Sequence, residues 1–192
     1  MFTGIIESLG EVKNLSKEGS NLRITVASSI SNELKVDQSV AHNGVCLTVE
    51  SCDLGTYEVV AVEETLKKTN LSNLAIGQNI NLERCMQMNG RLDGHIVQGH
   101  VDEVATVSKV EELLGSWNFT FELHKPSKLI VEKGSICING VSLTAFDVSD
   151  NQFTVTIIPY TFKHTTFNTL KEGSQVNIEF DIIGKYVARL NS

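Results

Sequence analysis

Clusters of lysine or arginine are missing from this 192-residue sequence, whose formal net charge is -7. A nucleic-acid or anionic-membrane surface needs a basic patch, so we expect neither partner. No apolar run approaches the length of about 20 residues that crosses a bilayer, and the first residues lack the basic start and long apolar core of a signal peptide. We therefore expect a soluble, cytoplasmic protein.

Motifs for cofactors and disulfides are also missing. The four cysteines form no CxxC pair and no dense framework, which favours reduced thiols. Phosphate-binding loops, dinucleotide-binding fingerprints and GxSxG elbows are absent, so the sequence predicts no nucleotide cofactor. His95 and His100 are five residues apart and no second ligand pair has zinc spacing, which makes a metal site the weakest alternative.

The sequence does contain a second copy of part of itself. Residues 39–83 align without gaps with residues 135–179, and 14 of these 45 positions are identical. Composition alone would give about three identities. The preceding segments also match at an offset of 95, which pairs Ile6 with Val101. A repeat of this length indicates a duplicated domain.

Each copy has the pattern of a small antiparallel barrel. Short alternating apolar segments separated by turn residues predict strands, and Asn43-Gly44 and Asn139-Gly140 predict two-residue hairpins. Short helices are predicted at residues 29–35, 65–74, 127–131 and 161–170. The expected fold is all-β, with a closed barrel in residues 1–89 and another in residues 90–181.

The last residues, 182–192, have a different period. Their apolar side chains recur every three or four positions, which predicts a short amphipathic helix. The first half has no counterpart of this helix. It either makes an oligomer contact or covers one end of a barrel.

The two halves differ at positions that carry chemically active groups. Unequal groups on one frame would allow two similar ligands to play unequal roles. The aligned pairs are Cys46 with Ser142, His42 with Ile138, Cys85 with Asp181, Asp37 with Lys133, and Ile5 with His100.

Each candidate group also has a purely structural interpretation. Cys46 in a hairpin is typical of a small buried apolar residue, and His100 between a glycine and a strand is typical of a hydrogen-bonding loop residue. Asp181 at a strand end fits a helix N-cap. Ser39 and Thr48 fit hydrogen bonds to the hairpin backbone.

Several motifs together resemble riboflavin synthase of the alpha chain type, and the resemblance runs from end to end. The motifs are MFTGIIE at 1–7, AHNGVCLTV at 41–49, ETL at 64–66, NGRLDGHIVQGHVD at 89–102, NGVSLT at 139–144 and FDIIGKY at 180–186.

The resemblance implies a fold, an assembly and a reaction. The expected fold is two similar six-stranded antiparallel β-barrels followed by a C-terminal helix, and the expected assembly is a homotrimer formed through that helix. The implied reaction transfers a four-carbon unit between two molecules of 6,7-dimethyl-8-ribityllumazine, which gives riboflavin and 5-amino-6-ribitylaminouracil. The implied active site lies between the N-terminal barrel of one subunit and the C-terminal barrel of its neighbour.

The resemblance also implies site residues. The catalytic set is Ser39, Cys46, His100, Thr144 and Asp181. The expected N-barrel contacts with lumazine are Gly4, Ile5, Ile6, Cys46, Leu47, Thr48, Val60, Ala61, Val62, Glu63, Glu64 and Thr65. The expected C-barrel contacts are Gly99, His100, Val101, Lys133, Ser142, Leu143, Thr144, Thr156, Ile157, Ile158, Pro159, Tyr160 and Thr161.

Two features of this reading stay open. One lumazine must lose a proton from its 7-methyl group to a base, His100 or the Cys46 thiolate, while water, Ser39 or Cys46 adds to the other molecule. Gln98 also stands where many family members have serine, which affects the local shape of the pocket.

Two rival functions use the same fold. A non-catalytic lumazine or flavin carrier would bind the ligands without turnover, whereas a purely structural trimeric scaffold would bind neither compound. Lumazine synthase is a possible larger partner.

Overall fold

The computed structural model describes residues 1–191, and within them it contains two closed antiparallel barrels of six strands each. The predicted fold class is therefore confirmed. Barrel 1 has the strand order β1-β2-β5-β4-β3-β6, and barrel 2 repeats it with β7-β8-β11-β10-β9-β12. In barrel 1 the strands are β1 (Ser8–Glu18), β2 (Asn21–Ser28), β3 (Ser39–His42), β4 (Val45–Asp53), β5 (Thr56–Ala61) and β6 (Asn79–Arg84). In barrel 2 they are β7 (Glu103–Leu113), β8 (Ser116–Leu123), β9 (Ser135–Ile138), β10 (Val141–Phe146), β11 (Gln152–Ile157) and β12 (Gln175–Phe180).

The two Asn-Gly pairs form the predicted hairpins. Asn43 and Gly44 have φ angles of 45° and 78°, and Asn139 and Gly140 have 46° and 82°. Two successive positive φ angles define the tight turn whose twist matches that of the flanking strands.

The short helices differ from their predicted bounds. The predicted helix at 65–74 is two pieces, α1 (Glu63–Lys68) and a 3-10 turn (Asn70–Asn73), and the one at 161–170 is α2 (Pro159–His164) and a 3-10 turn (Thr166–Thr169). The break falls at Thr69 and Thr165, which are extended and accept a hydrogen bond on their side chains from the N–H two residues later. Threonine forms such local bonds in competition with the helix.

Two other helix predictions fail wholly or in part. Residues 29–35 contain only the 3-10 turn Ser31–Glu33. Residues 127–131 contain no helix, because the Ser127 N–H donates to the Asp150 carbonyl at 2.6 Å and ties this segment to a neighbouring loop.

Each barrel has its own apolar core, and the cores differ in composition. Barrel 2 packs five buried phenylalanines, whereas barrel 1 is filled mainly by aliphatic side chains around Tyr57. In both barrels the strands supply these core residues by alternation, since every second side chain points into the barrel.

The barrels meet at their two hairpins. A Cβ atom placed on Gly44 would lie 2.7 Å from the Gly140 nitrogen, so only glycine permits this approach. Beside it, the Asn81 side chain donates to the Asn139 carbonyl at 2.9 Å, and the Asn177 side chain donates to the Asn43 carbonyl at 2.8 Å. Both bonds are buried and follow the repeat symmetry.

The described residues end with helix α3 (Ile182–Leu190), which confirms the predicted C-terminal helix; residue 192 of the predicted range 182–192 lies outside the described residues. Asp181 caps it, because its carboxylate accepts a hydrogen bond from the Ile183 N–H at 2.9 Å. Ile183, Tyr186 and Leu190 are 63%, 67% and 84% exposed, so the apolar face of α3 does not cover a barrel end within this chain. Among residues 1–191, no helix has the length and apolar character needed to cross a bilayer.

Candidate functional site

Two extended segments lie between the barrels and pair with each other. We call residues 2–6 the N-terminal arm and residues 97–101 the linker arm. Phe2 and Val97 exchange backbone hydrogen bonds of 2.7 and 3.1 Å, and both side chains are buried between the barrels. The arms correspond to each other in the repeat.

The N-terminal arm leaves its own half and packs on barrel 2. The Ser142 N–H donates to the Gly4 carbonyl at 2.7 Å, and a Cβ atom on Gly4 would lie 2.6 Å from the Ser142 Cβ. Ile6 packs against the core of barrel 2. The arm therefore borders β10.

The linker arm makes the reciprocal contacts with barrel 1. The Cys46 N–H donates to the Gly99 carbonyl at 2.9 Å, and a Cβ atom on Gly99 would lie 2.6 Å from the Cys46 Cβ. Val101 packs against the core of barrel 1. Within this chain, each arm therefore borders the hairpin of the other half, and the expected grouping of Gly4 with Cys46 as ligand contacts stays a prediction.

On barrel 1, the arrangement places Cys46 beside Ser39 and the linker arm. The Cys46 side chain is half-buried, and burial raises the pKa of its thiol, an effect that a hydrogen bond with Ser39 opposes. A raised pKa keeps the thiol protonated near neutral pH and makes the thiolate a weaker candidate for a base. His100 follows Gly99 directly, and its ring is exposed.

On barrel 2, Ser142 occupies the position of Cys46 and has a histidine partner. His95 Nδ1 lies 2.6 Å from Ser142 Oγ, and the backbone N–H of His95 donates to the Thr3 carbonyl at 3.1 Å. Burial lowers the pKa of His95, while the charge of Asp181 opposes this shift. Ser142 and His95 therefore form a polar pair at this barrel, and the charge of Asp181 acts on the His95 ring.

The predicted catalytic residues therefore fall into two groups. Ser39 and Cys46 belong to barrel 1, where the linker arm adds His100. Thr144 is on β10 of barrel 2, and Asp181 follows β12. Among residues 1–191, no group of three or more His, Cys, Asp or Glu side chains is arranged to hold a metal ion.

Two neighbouring clefts adjoin the barrel 1 residues. One of about 460 Å³ is lined by Ser39, Gln38 and Cys85, and another of about 370 Å³ is lined by Ile5 and Ile6. Both include Arg84, which forms ion pairs with Glu7 and Glu33. Both clefts are lined by polar side chains near Arg84, and the second is also lined by the apolar side chains of Ile5 and Ile6 in the N-terminal arm.

Comparison with known proteins assigns both halves to one family. The family model "Lumazine binding domain" matches residues 3–85 and again residues 98–181. The chain is 41% identical over 191 residues to riboflavin synthase from Bacillus amyloliquefaciens, which covers 98% of this chain and 89% of that protein. Riboflavin synthase from Actinobacillus pleuropneumoniae is also 41% identical over 189 residues, with 97% and 88% covered.

This chain belongs to the riboflavin synthase family.

Solved structures of a related lumazine-binding protein have the same fold. LumP complexed with riboflavin superposes with a TM-score of 0.86 at 25% identity, covering 94% of this chain and 99% of that one. LumP complexed with 6,7-dimethyl-8-(1'-D-ribityl) lumazine gives 0.84 at 25% identity, covering 93% and 98%.

Within the riboflavin synthase fold, the remaining expected contact residues lie at equivalent places on the two barrels. Residues 60–65 run from the end of β5 into α1, and residues 156–161 run from the end of β11 into α2. Val62, Ile158 and Tyr160 are 50%, 58% and 71% exposed, which leaves apolar surface free for a flat ligand. Lys133 has its ammonium group 4.9 Å from the Phe146 ring centre.

Sequence reasoning missed three residues of the candidate site. The spacing of His95 suggests only a metal ligand, whereas the residue pairs with Ser142. Glu83 and Glu179 accept hydrogen bonds from the N-terminal arm and the linker arm. The available signal was their identity in the repeat, since a glutamate kept at the same inward position of both barrels indicates a buried partner.

Proposed function

We propose that this chain is a riboflavin synthase that converts two molecules of 6,7-dimethyl-8-ribityllumazine into riboflavin and 5-amino-6-ribitylaminouracil. The observation that carries this proposal is that two equivalent surfaces, one on each barrel, carry different chemical groups. We call them ligand edges: residues 46–48 and 60–65 on barrel 1, and residues 142–144 and 156–161 on barrel 2. Barrel 1 presents Cys46 with Ser39, and barrel 2 presents Ser142 with His95. The names of relatives that match nearly the full chain support the same reaction.

The active site in this proposal forms between two subunits. The groups of the two barrels belong to separate edges, so joining two lumazines requires barrel 1 of one subunit to face barrel 2 of its neighbour. The exposed apolar face of α3 supports a homotrimer, because burying Ile183, Tyr186 and Leu190 against another copy removes apolar surface from water. The two barrel units are residues 1–89 and 90–181, each of which contributes its arm to the ligand edge of the other, and residues 182–192 form the trimer contact.

The proposed chemistry combines orientation with proton transfer. The base is His100 rather than the Cys46 thiolate, because burial raises the pKa of the thiol. Water, Ser39 or the Cys46 thiol adds to C7 of the second lumazine. Stacking the two ring systems in register supplies much of the rate, since orientation alone can contribute about 7 to 11 kcal/mol. No cofactor is required, because the ring system accepts the electrons itself.

In the proposal, each ligand edge includes the arm that borders its barrel. Residues 99–101 complete the ligand edge formed by 46–48 and 60–65 on barrel 1. Residues 4–6 complete the edge formed by 142–144, 156–161 and Lys133 on barrel 2. Thr48 and Thr144 lie opposite Ser39 and Ser135 in their hairpins, where they can orient the pyrimidinedione edge of each ligand.

The first experiment mixes the purified protein with the lumazine and follows riboflavin absorbance without added cofactor. Appearance of riboflavin supports the proposal, and tight binding without turnover would instead support the carrier function that the similarity to LumP raises. A scaffold would bind neither compound. Sedimentation at several concentrations tests the trimer, and localisation in the cytoplasm and association with lumazine synthase are tested by fractionation and co-purification.

The second experiment replaces Cys46 with serine. We expect turnover to fall by at least about 10-fold, because the larger, more polarisable sulfur is lost. Lumazine affinity should change by less than about 3-fold, since the ring edge is held elsewhere. Ser142→Ala on the other barrel is the matched variant. Full activity of Cys46→Ser would remove the thiol from the mechanism.

A further inference from the structure

Two glutamates are buried at equivalent places between the barrels. Glu83 lies on β6 and Glu179 on β12, and they are 5% and 2% exposed. Burying a carboxylate is costly unless hydrogen bonds replace its water. The chain nevertheless has a glutamate at this position in both copies.

Both carboxylates accept hydrogen bonds from an arm. Glu83 Oε1 accepts from the Thr3 N–H at 2.6 Å and from its hydroxyl at 2.7 Å, and Oε2 accepts from the Gly4 N–H at 3.0 Å. Glu179 Oε1 accepts from the Gln98 N–H at 2.7 Å, and Oε2 accepts from the N–H groups of Gly99 and His100 at 2.9 and 3.0 Å. The bond to Gln98 uses the backbone, so it does not depend on that side chain.

The barrel that carries each glutamate differs from the barrel that its arm borders. Glu179 belongs to barrel 2, yet the arm it holds places the Gly99 carbonyl on the Cys46 N–H of barrel 1. Glu83 belongs to barrel 1, yet its arm places the Gly4 carbonyl on the Ser142 N–H of barrel 2. The ligand edge of each barrel is therefore completed by an arm anchored on the other.

We propose that Glu179 is a positioning residue for the ligand site of barrel 1, and that Glu83 is the positioning residue for the ligand site of barrel 2. Glu179 acts through residues 98–100 and so fixes His100 beside Cys46. This inference rests on the proposed function for the location of the two ligand sites. It adds that each site is controlled from the opposite barrel.

An amide cannot replace either carboxylate. Every hydrogen atom that points at the two oxygens of Glu179 comes from a backbone N–H, so one side of a glutamine would place its NH2 group against another donor. Burial raises the pKa of both carboxyls, while the arm N–H groups favour the charged form. Glu179→Gln and Glu83→Gln are nearly isosteric changes and serve as controls for each other.

The test measures amide hydrogen exchange in the two arms and the alkylation rate of Cys46, neither of which depends on catalysis. In the full-length protein, Glu179→Gln should increase amide hydrogen exchange in residues 98–100 and accelerate alkylation of Cys46 by iodoacetamide. Glu83→Gln should increase exchange in residues 3–4 and leave the alkylation rate of Cys46 within about 2-fold of the wild type. The exposed Cys52 and Cys85 are internal controls for the reagent.

Riboflavin then reports on the ligand sites. It should protect Cys46 from iodoacetamide in the wild type and in Glu83→Gln, and this protection should be lost in Glu179→Gln. We expect kcat/KM to fall on the order of 100-fold in both variants, as when reacting groups are misplaced by about 1 Å. Glu179→Asp, which keeps the charge, should recover part of this loss and covers the case in which the glutamine variant does not fold.

The outcomes separate the two proposals. If riboflavin never protects Cys46 in the wild type, the proposed ligand site on barrel 1 is wrong, while hydrogen exchange and alkylation still test the anchoring of the arms. If Glu179→Gln loosens both arms equally, or if Glu83→Gln is the variant that exposes Cys46, the positioning role is overturned.

Discussion

Barrel 1 contains a buried polar pair that barrel 2 replaces with apolar residues. His42 Nε2 lies 2.7 Å from the Tyr57 hydroxyl, and both residues are at most 1% exposed. His42 Nδ1 lies 3.0 Å from the Val40 carbonyl, so Nδ1 carries the proton and Nε2 accepts from Tyr57. The corresponding residues of barrel 2 are Ile138 and Phe153. The double variant His42→Ile/Tyr57→Phe therefore gives barrel 1 the residues of its own repeat.

The cost of each single change follows from the group that it leaves unpaired. Tyr57→Phe leaves the Nε2 acceptor of His42 without its partner, and His42→Ile leaves the Tyr57 hydroxyl without one. Each should lower the free energy of unfolding by about 1 to 3 kcal/mol. The double variant removes both polar groups and should differ from the wild type by less than about 1 kcal/mol. Since the two single changes together cost about 2 to 6 kcal/mol, the coupling energy is about 1 to 6 kcal/mol.

The same pair makes stability depend on pH. Burial lowers the pKa of His42 from 6.5 to about 4. The unfolded chain therefore binds a proton near pH 6.5 while the folded chain does not, and the free energy of unfolding falls as the pH drops through this window. Between pH 7.5 and pH 5.0 the loss due to His42 is about 2 kcal/mol. The double variant lacks this loss.

The assay is urea unfolding of the four proteins at both pH values and at one protein concentration, followed by the fluorescence of Trp117. Other groups with shifted pKa values, such as His95 and Glu179, are present in all four proteins, so their effects cancel in the comparison. The reasoning is refuted if the double variant loses as much stability at pH 5.0 as the wild type. It is also refuted if Tyr57→Phe alone costs nothing at pH 7.5.

Two further predictions concern the contact between the barrels. Gly44→Ala should lower the melting temperature by several degrees more than Gly55→Ala, because both glycines have a positive φ of 76–78° but only Gly44 faces backbone, the Gly140 nitrogen, within 3 Å; equal shifts by calorimetry would contradict the close approach. Thr166→Val should keep or raise stability by up to about 1 kcal/mol in denaturant titration, because Thr166 Oγ1 is buried without a hydrogen-bond partner in the described residues. A clear loss would reveal a partner for this hydroxyl.

Much of the fold could be predicted because its signals are local or repeated. Asn-Gly fixes a hairpin through the backbone freedom of two residues, and the repeat requires the second barrel to have the topology of the first. The helix bounds were less predictable, because Thr69 and Thr165 interrupt helical segments through side-chain hydrogen bonds that the apolar period does not reveal. Local patterns therefore identified elements better than their ends.

The candidate site was harder to predict, because it depends on contacts between distant segments. The sequence alone cannot tell whether Gly4 borders Cys46 or Ser142, since both hairpins have nearly the same sequence. The crossing of the arms follows from the way the barrels pack, and packing depends on the whole chain. The prediction that Asp181 could cap a helix is confirmed, and this capping role is compatible with its charge acting on His95.

The packing of each arm on the opposite barrel also explains the positions of His95 and His100, the two histidines whose spacing was weighed as a metal site. The segment between them bends at Gly99, which has a φ of 80°. His95 reaches Ser142 on barrel 2, and His100 follows Gly99 on barrel 1. One short linker thus delivers a histidine to each barrel, and Glu179 anchors it between them. The five-residue spacing of the two histidines therefore suits two separate sites on different barrels.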